Sequence, residues 1–129
     1  AEKEGKEIII VDGSPGIGCP VVSSLSGASY VVLVTEPSVS GIHDLKRVHE
    51  LVKRFGIKAG CIINKADINS NKTKEIHTFL KEENIELINE IPYDENFTKA
   101  MTMGKTIVEF DNGNIKQILE DSWKIIKEI

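Results

Sequence analysis

The chain has 129 residues, 40% of them hydrophobic and 28% charged, which suits one folded domain over 1–129 and is too apolar for a disordered segment. Its net charge of −4 comes from interspersed acidic and basic residues, so no basic face offers itself to nucleic acid and no Lys/Arg block to an anionic membrane. The apolar runs are too short to span a bilayer, and Cys19 and Cys61 stand far apart without a C-x-x-C partner. That excludes an integral membrane segment, a disulfide framework and a zinc site, and points to a reducing cytoplasm.

In chain order, strands alternate with helical patterns, as in βαβ units with a parallel sheet. The start, Ala1-Glu2-Lys3-Glu4-Gly5-Lys6, has no Met and reads as a helix end running into a strand, so a cut inside a longer protein is expected. A first strand is predicted over Glu7 to Asp12 and a short helix over Pro20 to Ser26, Pro20 suiting a first turn where its missing N–H is no loss. A second strand, Tyr30 to Thr35, leads through Glu36-Pro37-Ser38-Val39-Ser40-Gly41 into the clearest helix, Ile42 to Phe55. Ile42, Leu45, Val48, Leu51, Val52 and Phe55 make its apolar stripe, with Ser40 as cap and Gly56 as stop. Then follow an Ile-rich strand, Ala59 to Asn64, and a helix from Asn71 to Glu83 with Ile76, Phe79 and Leu80 inward. A strand from Glu86 to Ile91 ends at Pro92; after it come a helix from Asn96 to Met103, the loop Asp111-Asn112-Gly113, and a terminal helix carrying Ile115, Ile118, Leu119, Ile125, Ile126 and Ile129. Cys61, in an apolar strand, reads as core, and Trp123 as packing of the last helix.

The segment with most chemistry is Asp12-Gly13-Ser14-Pro15-Gly16-Ile17-Gly18-Cys19-Pro20, directly behind Ile8-Ile9-Ile10-Val11. An Asp closing a strand at the carboxyl edge of an α/β sheet can orient a metal-bound water, and glycines there let the backbone approach a phosphate. The plainer alternative is an Asp that caps the following turn. Nowhere does the sequence read G-x-x-x-x-G-K-[ST], so the usual phosphate cradle is absent from it. Further on, Asn64-Lys65-Ala66-Asp67 spells N-K-x-D, whose carboxylate can hold guanine; the plain alternative is a turn closing a buried strand. Glu36, Ser40, His43 and Asp44 gather after the second strand, where capping and a solvent-facing helix start explain them as well as catalysis does. His49 and His77 have no carboxylate or Cys at ligand spacing, so no metal site is assigned to them.

D-G-S-P-G-I-G-C-P, V-T-E-P-S-V-S-G-I-H-D-L and I-I-N-K-A-D-I-N together resemble the C-terminal half of the MinD/Mrp/ParA class of deviant Walker A ATPases. The resemblance is in particular to the archaeal and clostridial MinD-superfamily proteins that carry an inserted ferredoxin domain. The resemblance covers nearly the whole chain, strongest from Ile8 to Asn69 and thinner beyond Pro92. It implies a partial doubly wound α/β sheet, and a slow MgATP hydrolysis used as a switch in a full-length homodimer. It also implies that Asp12 orients Mg²⁺ through water and Gly16 senses the γ-phosphate, with Asn64 on adenine and the Pro92-Tyr93-Asp94 loop packed on the base. Asp67 stays open between the ATPase reading and a GTPase of the same superclass. Cys19 stands at the offset from Asp12 at which the nitrogenase iron protein of this class holds a cluster, which implies a [4Fe–4S] ligand. Otherwise Cys19 is a small residue at a helix start.

A non-catalytic folding or interaction module is the remaining alternative for the chain by itself. In the resembled fold a strand lies between Glu7–Asp12 and Tyr30–Thr35, so these two are expected either to pair directly or to take another chain between them. Without a P-loop lysine and its backbone amides, the isolated chain is expected to show no ATPase activity and at most weak nucleotide affinity. Isothermal titration with MgATP checks this, and micromolar binding contradicts it.

Overall fold

The computed structural model describes residues 10, 25–110 and 113–127. Within them three strands, β1 (Tyr30–Thr35), β2 (Lys58–Asn64) and β3 (Glu86–Ile91), form a parallel sheet in the order β1-β2-β3. Helix α1 (Val39–Arg54) crosses from β1 to β2, and α2 (Ser70–Glu82) from β2 to β3. Three more follow: α3 (Asn96–Thr102), the short α4 (Ile107–Phe110) and α5 (Asn114–Lys127). The strand predicted over Glu7 to Asp12, apart from Ile10, the helix predicted over Pro20 to Ser26, apart from Leu25 and Ser26, and the question of how that strand meets β1 lie outside the described residues.

Alternation along each strand sends side chains to two separate cores. On one face Leu33, Cys61 and Ile63 meet Ile42, Leu45 and Val52 of α1 and Ile76 and Leu80 of α2. On the other, Ile62, Ile88 and Ile91 meet Ile115 of α5, with Ile118, Leu119, Ile125 and Ile126 packed against them. Val52, Cys61, Ile63 and Ile76 have no exposed surface, and burying each of the three aliphatic side chains among them contributes about 1.5–3 kcal/mol. β2 is covered on both faces and paired on both edges, which explains its unalternating Gly60-Cys61-Ile62-Ile63. Ile88 is an extra residue in the β2–β3 ladder, where Cys61 pairs with Leu87 and Ile62 with Asn89. That bulge turns both Ile88 and Asn89 toward α5, and Asn89 Nδ2 donates to Ile118 O at 3.3 Å.

The elements match the sequence reading closely, with informative differences. α1 starts at Val39, not Ile42: Ser38 is its cap, accepting from Gly41 N at 3.0 Å, and the expected cap Ser40 lies inside the first turn. The apolar stripe concealed that turn because Val39 is exposed. Phe55, expected on the stripe, is 42% exposed, while His49 occupies the inner face at 6%. α1 stops as expected at Gly56, whose φ of +66° allows Gly56 N to donate to Lys53 O and Ile57 N to Val52 O. α2 ends the same way with Asn84 at φ +55°. Trp123 is exposed at 39%, not packed inward, because the buried positions of α5 are Ile115 and Ser122. The short α4 was not foreseen, since four residues carry no readable period.

Two core features yield tests. Tyr30 Oη is buried without a hydrogen-bond partner among the described residues, and burial, then the nearby Glu86 carboxylate, pushes its phenol upward. It lies over Gly60, where an added Cβ would collide with Tyr30 Oη and with Ile88 Cδ1 at 2.7 Å. Gly60→Ala is expected to cost about 1–3 kcal/mol and Tyr30→Phe to add about 1 kcal/mol by removing an unpaired buried hydroxyl. Urea unfolding reads both; a destabilised Tyr30→Phe would show that the hydroxyl has a partner.

His49 packs edge-on against Phe79 at 5.6 Å between α1 and α2. Desolvation lowers its pKa, partly offset by Glu83 and reinforced by Lys53; Lys46 also lies close, 5.7 Å from the Phe79 ring. Both states are neutral at His49 above its ordinary pKa of about 6.5. Below it the unfolded chain takes up the proton first, so stability falls with pH down to the lowered folded value. His49→Leu is expected to flatten that loss between pH 7.5 and 5.5 in urea midpoints; equal losses in both proteins contradict the assignment.

Candidate functional site

At the carboxyl end of β2 the chain turns sharply. Lys65 sits at φ +54°, an uncommon left-handed conformation for a residue with a side chain, and its N–H donates to Asn64 Oδ1 at 3.0 Å. The turn aims Ala66 N at Ile91 O, 2.9 Å away at the end of β3. Thr73 Oγ1 of α2 donates to Ala66 O at 2.7 Å, and Asn69 caps α2 by accepting from Lys72 N at 3.1 Å. Asp67 Oδ1 then accepts from Tyr93 N at 2.8 Å, tying the β2–α2 loop to the β3–α3 loop. Asp94 Oδ1 accepts from Asn96 N at 2.8 Å and shapes the approach to α3.

The sequence-predicted residues Asn64, Asp67, Pro92 and Asp94 thus belong to two adjoining loops at the carboxyl ends of neighbouring parallel strands, where open α/β sheets collect ligands. Asn64, Pro92 and Asp94 are half-buried, Asp67 is exposed, and the Tyr93 ring is 55% exposed. The β1–α1 loop adjoins them: Lys65 Nζ lies 3.7 Å from Glu36 Oε2, and Glu36, Pro37, Ser38, Lys65 and Ile68 line a shallow depression. Thr35 Oγ1 donates to Gly41 O at 3.0 Å, and a Cβ on Gly41 would stand 2.5 Å from Glu36 O, so this loop needs glycine to close. Neither the Glu36–Lys65 pair nor the Asp67–Tyr93 bond was foreseen. Both depend on loops distant in sequence, which the sequence marks one by one and does not join.

Asp12, Gly16 and Cys19 lie outside the described residues. His43 and Asp44 are exposed on α1, while Ser40 lies within its first turn. His77 Nε2 contacts Glu90 Oε1 across α2 and β3, a carboxylate partner that spacing along the chain did not reveal. Cys61 is fully buried, and desolvation pushes its thiol up to about 12. Among the described residues no group of three or more His, Cys, Asp or Glu could hold a metal, and no helix is long and apolar enough to cross a membrane.

No family model matches the chain. An uncharacterized ATP-binding protein of Methanocaldococcus jannaschii is 30% identical over 125 residues, covering 93% of this chain and 46% of the relative. The solved MinD cell division protein of Aquifex aeolicus superposes with a TM-score of 0.81 at 22% identity, covering 99% of this chain and 56% of that one. The cell division ATPase MinD of Pyrococcus furiosus follows with a TM-score of 0.75 at 21% identity, over 98% of this chain and 54% of that one. The chain spans less than half the length of the first relatives it matches in sequence. It has the fold of the MinD class of P-loop ATPases, over a segment about half the length of the solved examples.

Proposed function

We propose that this chain supplies the base-binding side of a MinD-like nucleotide site. Asn64 and the Pro92-Tyr93-Asp94 loop would hold adenine, and the intact protein would hydrolyse MgATP as a conformational switch. The observation that carries this is the pairing of the two loops, with Ala66 N on Ile91 O and Tyr93 N on Asp67 Oδ1, beside an Asn64 whose Nδ2 has no partner among the described residues. A half-buried amide of this kind can recognise a base edge through an unspent donor. Pro92 presents a rigid apolar face with no N–H of its own.

The same reading gives Asp12 the Mg²⁺ ion through water and Gly16 the γ-phosphate. The extension to a [4Fe–4S] centre at Cys19 and to a nucleotide-linked homodimer rests on the resemblance, not on a feature of this fold. The GTPase reading draws on the N-K-A-D spelling; against it stands the Asp67 carboxylate already holding a backbone amide. In the intact protein Asn64→Ala is expected to weaken MgATP binding by about 1–3 kcal/mol, because a site built to pair a base edge loses its partner. Titration calorimetry measures it, and unchanged affinity removes Asn64 from the site.

A further inference from the structure

We propose that Asp67 is the positioning residue of this site: it clamps the β3–α3 loop in place and does not read the base. The inference rests on the nucleotide reading above and refines it toward adenine over guanine. The parallel ladder between β2 and β3 ends at the pair Asn64 and Ile91. It is prolonged by one bond, Ala66 N to Ile91 O at 2.9 Å. Pro92 then offers no N–H, so the next donor is Tyr93. Its N–H meets no strand carbonyl; it meets Asp67 Oδ1 at 2.8 Å, the length of a charge-assisted bond.

Among the described residues this is the one hydrogen bond that joins residues 92–94 to any segment other than α3, the helix that directly follows them. Asp94 bonds only forward, to Asn96 N and Phe97 N in the first turn of α3, and the Tyr93 side chain is largely exposed. A loop held before the ligand arrives spares the ordering cost on binding. Guanine presents N1–H and an amino group side by side, and a carboxylate reading both must turn both oxygens to the base. With Oδ1 already accepting from the Tyr93 amide, only Oδ2 is left wholly free, which disfavours that bidentate arrangement. Adenine has no such donor pair and makes no demand on Asp67.

Two variants separate clamping from base reading, because an Asn at this position still offers an Oδ1 acceptor and an Ala does not. Amide hydrogen exchange on the nucleotide-free chain is expected to show Tyr93 protection reduced about tenfold or more in Asp67→Ala, one broken bond of about 1.4 kcal/mol. In Asp67→Asn the protection should stay within about threefold of the parent, a difference under about 1 kcal/mol. In the intact protein, titrated with MgATP and MgGTP, Asp67→Ala is expected to bind both about three- to tenfold more weakly, the cost of re-ordering a loosened loop. Asp67→Asn should match the parent, and the ATP-to-GTP ratio should move in neither variant.

Unaltered Tyr93 protection in Asp67→Ala overturns the clamp, and a shifted ATP-to-GTP ratio in Asp67→Asn overturns it in favour of base reading. If the parent binds neither nucleotide, the nucleotide reading fails, while Tyr93 protection still decides the clamp.

Discussion

Everything placed at the candidate site hangs from β2. Strand pairing on both edges and helices on both faces leave Lys58–Asn64 no freedom to slide, because a one-residue slip would turn Cys61 and Ile63 out of one core and Ile62 out of the other. A strand so constrained delivers its last residue to a defined point. Asn64 stands there, and the left-handed turn at Lys65 follows from the need to send Ala66 back toward Ile91.

The two crossovers carry this constraint outward. α1 and α2 share one face of the sheet, joined through His49 and Phe79 and through the Lys53–Glu83 ion pair at 3.2 Å. That exposed pair adds little by itself; the buried aromatic contact and the aliphatic side chains around it hold the layer. α5 covers the other face and grips β3 through Asn89, at the bulge that Ile88 creates. With both layers held, the loops after β1, β2 and β3 are short, and a few side-chain bonds suffice to order them. Rigid strands ending in short tethered loops are the usual arrangement for binding on an α/β scaffold.

Much of the fold was legible in the sequence because its signals are local. Val31 to Val34 declares a strand and Ile62-Ile63 a buried one, the Ile42-Leu45-Val52 spacing declares α1, and Gly56 declares its end. The bounds of β1 and β3 were read to the residue. Errors arose where local signals compete: two serines could cap α1, and the exposed Val39 disguised the first turn. His49 reads as polar, so its place in the core appears only once Phe79 is brought beside it. The N-K-A-D spelling and the resemblance singled out the two loops but not the bond between Asp67 and Tyr93, which lie 26 residues apart. Glu36 and Lys65 were likewise out of reach of any pattern in one segment.

On the proposed reading, the loops after β2 and β3 bind a purine nucleotide. A titration of the isotope-labelled chain with MgATP at millimolar concentration, followed by amide chemical shifts, tests it most directly, because weak binding still moves resonances near the ligand. Saturable shifts are expected at Asn64, Lys65, Ala66, Asp67, Tyr93 and Asp94, with the far ends of β2 and β3 unmoved. Saturable shifts clustered elsewhere on the sheet, or none in these two loops, would contradict it.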